Sequence, residues 1–154
     1  LPNAEAPVMA AIREHVVSAG DSLASEEELG EVFYGRGIVI SAILAEGIAN
    51  AQEMHGASEI TPAQLRDGLA SLDFTQARID ELGLTGMMAP FSTSCADHTG
   101  HSGGWMIRWD GTQFVQDSDL LSADRAAIEP LEAEKAAEYA SANAPWPMNE
   151  ACEG

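Results

Sequence analysis

The sequence predicts an α/β fold that is mostly helical and carries a β-hairpin region toward its C-terminal end. Two observations lead there. Apolar residues recur at helical spacing through the first half of the chain, whereas from Met87 onward they fall in short runs broken by Gly, Ser and Pro. Between two of those runs stands Asp110-Gly111, a pair that readily adopts the positive φ angles of a tight turn. At 154 residues the chain has the length of one domain. It can bury a core, since about two thirds of the unfolded surface disappears at this size.

Each element follows from its own signals. Val8, Ile12 and Val16 stand at i, i+4 and i+8 with Arg13 and Glu14 facing away, so residues 4–18 read as an amphipathic helix ended by Gly20-Asp21-Ser22. A polar, acidic stretch at residues 25–28 leads into the longest element, residues 31–54. There Val32, Phe33, Ile38, Val39, Ile40, Ile43, Leu44 and Ile48 cover more than half of the circumference, which predicts a helix buried on two sides. The chain offers few neighbours for it. Thr61-Pro62-Ala63-Gln64 is a helix start, with Thr61 as cap, Pro62 at the first helical position and Gln64 closing a capping box. Leu65, Leu69 and Leu72 form its buried stripe. A short helix over 75–82 and a turn at Gly83-Leu84-Thr85-Gly86 follow, and residues 105–109 and 113–115 flank Asp110-Gly111 as the hairpin. Residues 122–143 are helical in composition, divided by Pro130 into a short and a longer helix, and Ala144-Pro145-Trp146-Pro147 stops them.

Charge removes whole classes of partner. With 25 Asp and Glu against 7 Lys and Arg, the formal charge is −18, which repels nucleic acid from every side. No nucleic-acid partner is expected. The longest uncharged apolar run, residues 37–45, is far short of the roughly 20 residues that cross a bilayer. The chain starts at Leu1-Pro2-Asn3 without Met or a leader pattern, so it is expected to be trimmed. Cys95 and Cys152 can form one disulfide, closing a loop of about 57 residues. The alternative is two unpaired thiols in a reducing compartment.

Three local patterns invite chemistry. Gly100-His101-Ser102-Gly103-Gly104 matches the G-x-S-x-G of a hydrolase nucleophile elbow, but the elbow needs a strand before the Ser and a helix after it. Here the order is reversed, which favours a Gly-rich loop entering a hairpin. Cys95, Asp97, His98 and His101 bring metal-competent side chains into seven residues, although their spacing matches no established ligand set. The plain reading is a hydrogen-bonded polar loop. Phe33-Tyr34-Gly35-Arg36-Gly37 can build one wall of a ligand pocket, with rings for apolar contact, Arg36 for a carboxylate and Gly for close approach. Its plain reading is core aromatics beside an arginine paired with a nearby Glu.

Residues 6–17, the Phe33-Tyr34-Gly35-Arg36-Gly37 run into Ala42-Ile43-Leu44-Ala45-Glu46-Gly47-Ile48, Gln64-Leu65-Arg66-Asp67-Gly68-Leu69, Leu84-Thr85-Gly86, Asp97-His98 and Met106-Ile107-Arg108-Trp109-Asp110-Gly111 together form a familiar order. In that order the chain resembles the C-terminal portion of the type I periplasmic solute-binding proteins of the branched-chain amino acid (Leu/Ile/Val) ABC-transporter family. The resemblance covers about residues 4–115 and leaves the tail from Ser122 outside it. It implies a C-terminal fragment of a two-lobed periplasmic-binding-protein type I fold. Residues 1–85 would be the helical part of one lobe, 86–121 a strand and hairpin region near an interlobe crossover, and 122–154 the C-terminal helices and tail.

The function so implied is a non-enzymatic, periplasmic receptor of an ABC importer that traps a small amino-acid-like or carboxylate-bearing solute between its lobes. Phe33, Tyr34 and Arg36 would touch the solute, without a cofactor or metal. The expected partners are that solute, the transporter's permease in the membrane and the missing N-terminal part of the same protein. The runner-up is a small metal-binding or interaction domain built on the loop from Cys95 to His101.

Overall fold

The computed structural model describes residues 5–100 and 103–144. The chain forms two compact units, Leu1–His101 and Ser102–Gly154. Helices come first and short strands cluster later in the chain, in keeping with the mixed helix and strand class the sequence predicts. The described strands pair as three two-stranded antiparallel ladders.

In the first unit, α1 (Pro7–Ile12) runs directly into a π-helical turn, Arg13–Val17, in which Ser18 N–H donates to the Arg13 carbonyl at 3.0 Å. That turn takes up one residue more than an α-turn. It therefore moves the apolar stripe along by one, and Val17 packs inward while Val16, the residue expected from simple periodicity, is exposed. Next comes α2 (Glu26–Leu29), which the acidic stretch had concealed. Ser25 Oγ accepts from Glu28 N–H, and Glu28 Oε2 accepts from Ser25 N–H at 2.7 Å. These bonds hold the Glu28 carboxyl below its usual range, the backbone N–H of Ser25 contributing most. Leu29, Met9 and Ala6 then form a small buried cluster.

The helix α3 (Val32–His55) is the spine of this unit, 24 residues or about 36 Å long. Gly56 ends it in the left-handed conformation, with Ala57 N–H bonded back to the Gln52 carbonyl. One side meets α4 (Pro62–Leu69), whose start has the capping box read from the sequence: Thr61 Oγ1 accepts from Gln64 N–H and Gln64 Oε1 from Thr61 N–H. The two helices touch at glycine. A Cβ added at Gly68 would lie 2.1 Å from the Gly47 carbonyl oxygen and 2.8 Å from the Ala51 Cβ.

Beyond α4, β1 (Asp73–Phe74) pairs with β2 (Phe91–Ser92), and between them lie α5 (Gln76–Glu81), capped by Thr75, and a turn through Gly83. Gly83 has φ +70° and packs so closely on Val8 N, which donates to its carbonyl, that no side chain fits. The main core forms where these pieces converge: Leu72, Phe74, Ile79, Leu84 and Met88 are buried, and Ile38, Val39, Ala42 and Ile43 of α3 pack on them. Phe74 and Phe91 stack with ring centroids 5.1 Å apart.

The expectation that α3 is buried on two sides is not met. Its second face is open among the described residues: Phe33 is 77% exposed, Ile40 58% and Leu44 43%. Gly37, Ser41, Ala45 and Ala49 lie exposed beside them at four-residue spacing, a groove of small residues between larger ones. α3 also contains an 18-residue stretch of mean hydropathy 1.5 with at most two charged residues. By length and composition alone it could cross a membrane, although its longest uncharged run is short; a core helix passes the same test.

In the second unit, β3 (Gly103–Gly104) pairs with β6 (Leu121–Ser122), and inside that ladder β4 (Ile107–Trp109) pairs with β5 (Phe114–Gln116). This is the hairpin announced by Asp110-Gly111. Its loop has four residues, because only Gly111 takes a positive φ and Asp110 N–H instead donates to the Gln113 carbonyl at 3.0 Å. Trp109 and Phe114 close the loop edge to face at 5.2 Å. The last described element is α6 (Arg125–Ala142), started by Asp124 and exposed along nearly all its length. Pro130 lies inside this single helix and does not divide it. Arg125 spans the weakened turn, reaching Glu129 at 3.8 Å and Glu132 at 3.1 Å.

Candidate functional site

The first unit carries a cavity of about 360 Å³ between α4 and the segment after β2. Pro62, Leu65, Leu69 and Ala70 give it an apolar wall, and Arg66, Thr93 and His98 complete the lining. The helix places Leu65 and Leu69 one turn apart on the same face, and Arg66 beside them at its edge. Thr93 is fixed by the fold. Its hydroxyl donates to the Leu69 carbonyl at 2.7 Å and accepts from Leu72 N–H at 3.1 Å, which ties β2 to the end of α4 and leaves that oxygen little capacity for a ligand. Arg66 bonds to Asp67 at 3.2 Å, and the other Asp67 oxygen meets His55 Nε2 at 3.3 Å, joining the end of α3 to α4. His55 is thus held, not merely solvated as its position at a helix end suggests. Its four apolar residues suit this wall to apolar contact.

The strongest polar constellation lies elsewhere. Arg78 of α5 donates through Nε and Nη2 to the two Glu46 oxygens on α3, at 3.0 and 2.9 Å, and through Nη1 to Glu81 at 2.7 Å. The Glu46 hydrogen bond, with that of Glu81 behind it, raises the Arg78 pKa further above its already high value, so the guanidinium stays charged at every working pH. This clamp pins α5 to the middle of α3. Residues so far apart in sequence leave no local signal, and sequence reading missed it.

Of the residues expected to touch a solute, Phe33 and Arg36 lie together and Tyr34 turns away from them. Tyr34 packs half-buried against the Ala6, Met9 and Leu29 cluster, while Phe33 points outward on the open face with the Arg36 guanidinium 5.9 Å from its ring centre. None of the three lines the cavity. Neither does Arg36 pair with a nearby Glu, as the plain reading had it, among the described ion pairs.

The cysteine and histidine segment is a loop built for its own geometry. Ser94 N–H donates to the Asp97 carbonyl, Asp97 N–H to Ser94 Oγ at 3.0 Å and Thr99 N–H to Asp97 Oδ1 at 2.9 Å. Among the described residues no group of three His, Cys, Asp or Glu could hold a metal ion. Cys95 is half-buried and is not a free thiol; Cys152, His101 and Ser102 lie outside the described residues. Downstream of Ser102 the G-x-S-x-G motif continues into strand β3, not into the helix that a nucleophile elbow needs.

No protein-family model and no curated protein matches the chain. A solved structure does. Described as an ABC transporter permease from the Pseudomonas fluorescens group, it is similar to 97% of this chain at 30% identity and a TM-score of 0.86. This chain spans 37% of that protein's length.

That likeness keeps the link to ABC transporters and overturns what was built on it. The chain was expected to be a periplasmic solute-binding receptor; the protein with its fold is described as an ABC transporter permease. The receptor function, the periplasmic location and the permease as a separate partner fall together. So does the runner-up, a free-standing metal-binding or interaction domain, which the likeness supports no better. The physical reason for the error is that the resemblance rested on the order of elements more than on chemistry. Element order reports a fold, and a fold does not fix a function.

Proposed function

We propose that this chain is a segment of an ABC-transporter protein of the permease kind, in which it forms a non-catalytic helical unit beside the bilayer. The observation that carries the reading is the likeness to the solved permease over 97% of the chain, with 37% of that longer protein covered. The rest of such a protein supplies what the open face of α3 lacks. The packing argues that α3 lies against protein and not in lipid. Glu46 sits in its middle, clamped to Arg78, and the polar helices α4 and α5 pack beside it. A charge at the centre of a spanning helix costs about 2.5–3.5 kcal/mol on insertion scales, and a pair held by a soluble helix has no place there. The groove of Gly37, Ser41, Ala45 and Ala49, small residues throughout, leaves room for a further helix to pack against this face.

The test is fractionation of cells that make the tagged product of the whole gene. The expected result is recovery with membranes after alkaline carbonate washing, together with an ATP-binding subunit. Recovery as a freely soluble protein would overturn the proposal. A fluorophore placed through Leu44→Cys in that product is expected to resist quenching by spin-labelled lipids; strong quenching would return α3 to the bilayer.

A further inference from the structure

No further inference is drawn: the strongest candidate, the apolar cavity of about 360 Å³ between α4 and the segment after β2, carries nothing because nothing in the structure shows what covers it, and Asp67 already answers the Arg66 guanidinium at its rim.

Discussion

Gly47 and Gly68 set how near α3 and α4 come, and the two are not equivalent. A Cβ at Gly47 would meet the end of the Leu69 side chain, 2.5 Å away, which can turn aside, whereas one at Gly68 would strike the Gly47 carbonyl at 2.1 Å. Backbone cannot turn aside. Overpacking costs about 1–3 kcal/mol and helix propensity returns about 1 kcal/mol. Gly68→Ala is therefore expected to lower stability toward urea by up to about 2 kcal/mol, and Gly47→Ala by clearly less; equal losses would mean the helices are not in backbone contact. In the hairpin loop, Asp110 Oδ1 accepts from Gln113 N–H at 2.9 Å and Thr112 N–H at 2.8 Å, and these two bonds, Gln113 first, hold its carboxyl below the usual aspartate value. A lowered folded pKa stabilises above the unfolded value, about 3.9, and the contribution fades as pH falls through the folded one. The Thr112 and Gln113 amide resonances are accordingly expected to hold their shifts down to about pH 4 and move below it. In Asp110→Asn, which keeps an acceptor oxygen but cannot titrate, that movement is expected to vanish. Cys95 adds a chemical test. Thiol titration of the unfolded, unreduced chain is expected to find none and, after reduction, two; two at the outset would discard the pairing with Cys152.

Among the elements, α5 depends most on a single side chain. Arg78 grips Glu46 with two parallel bonds, a fork geometry that lysine cannot copy. Because the pair is only half-buried, screening limits its worth, and Arg78→Lys is expected to cost about 1 kcal/mol, less at high salt. A loss unchanged by salt would assign the effect to packing of the arginine stem instead. The elements that could be read from the sequence are those whose causes are local. The Thr61 capping box and the Asp-Gly loop each act within four residues, and each stands where expected; the short helix expected over 75–82 is there too, with Thr75 as its cap. Local signals were also overlooked: Ser25-x-x-Glu28 is a capping box of the same kind, hidden in an acidic run. The Arg125 and Glu129 pair of α6, at i,i+4, is another local signal that went unread. The π-helical turn that exchanges Val16 for Val17 inward left no mark in the apolar spacing. For the candidate site the gap is wider. Aromatic and arginine residues clustered at the start of α3 resemble a pocket wall in sequence, yet a helix turns neighbours 100° apart, so Tyr34 faces the core and Phe33 the solvent.

For the molecule as a whole, the open face of α3 weighs more than any single contact. Phe33, Ile40 and Leu44 gain nothing from folding of this chain in proportion to the area they leave in water, but covering them elsewhere would be worth roughly 3–5 kcal/mol at the usual coefficient for apolar burial. Replacing all three with Gln should then act differently in two settings. In the isolated 154-residue chain the triple variant is expected to keep its unfolding free energy in urea within about 0.5 kcal/mol of the parent and to associate less in sedimentation, since surface changes of this kind are nearly neutral. In the product of the whole gene the same variant is expected to lose several kilocalories of stability, or to become sensitive to protease at α3, because there the face would be covered. The comparison separates the two causes cleanly. If the isolated chain is weakened as much as the product of the whole gene, these side chains already have their cover within the chain, and the proposed covering surface is ruled out.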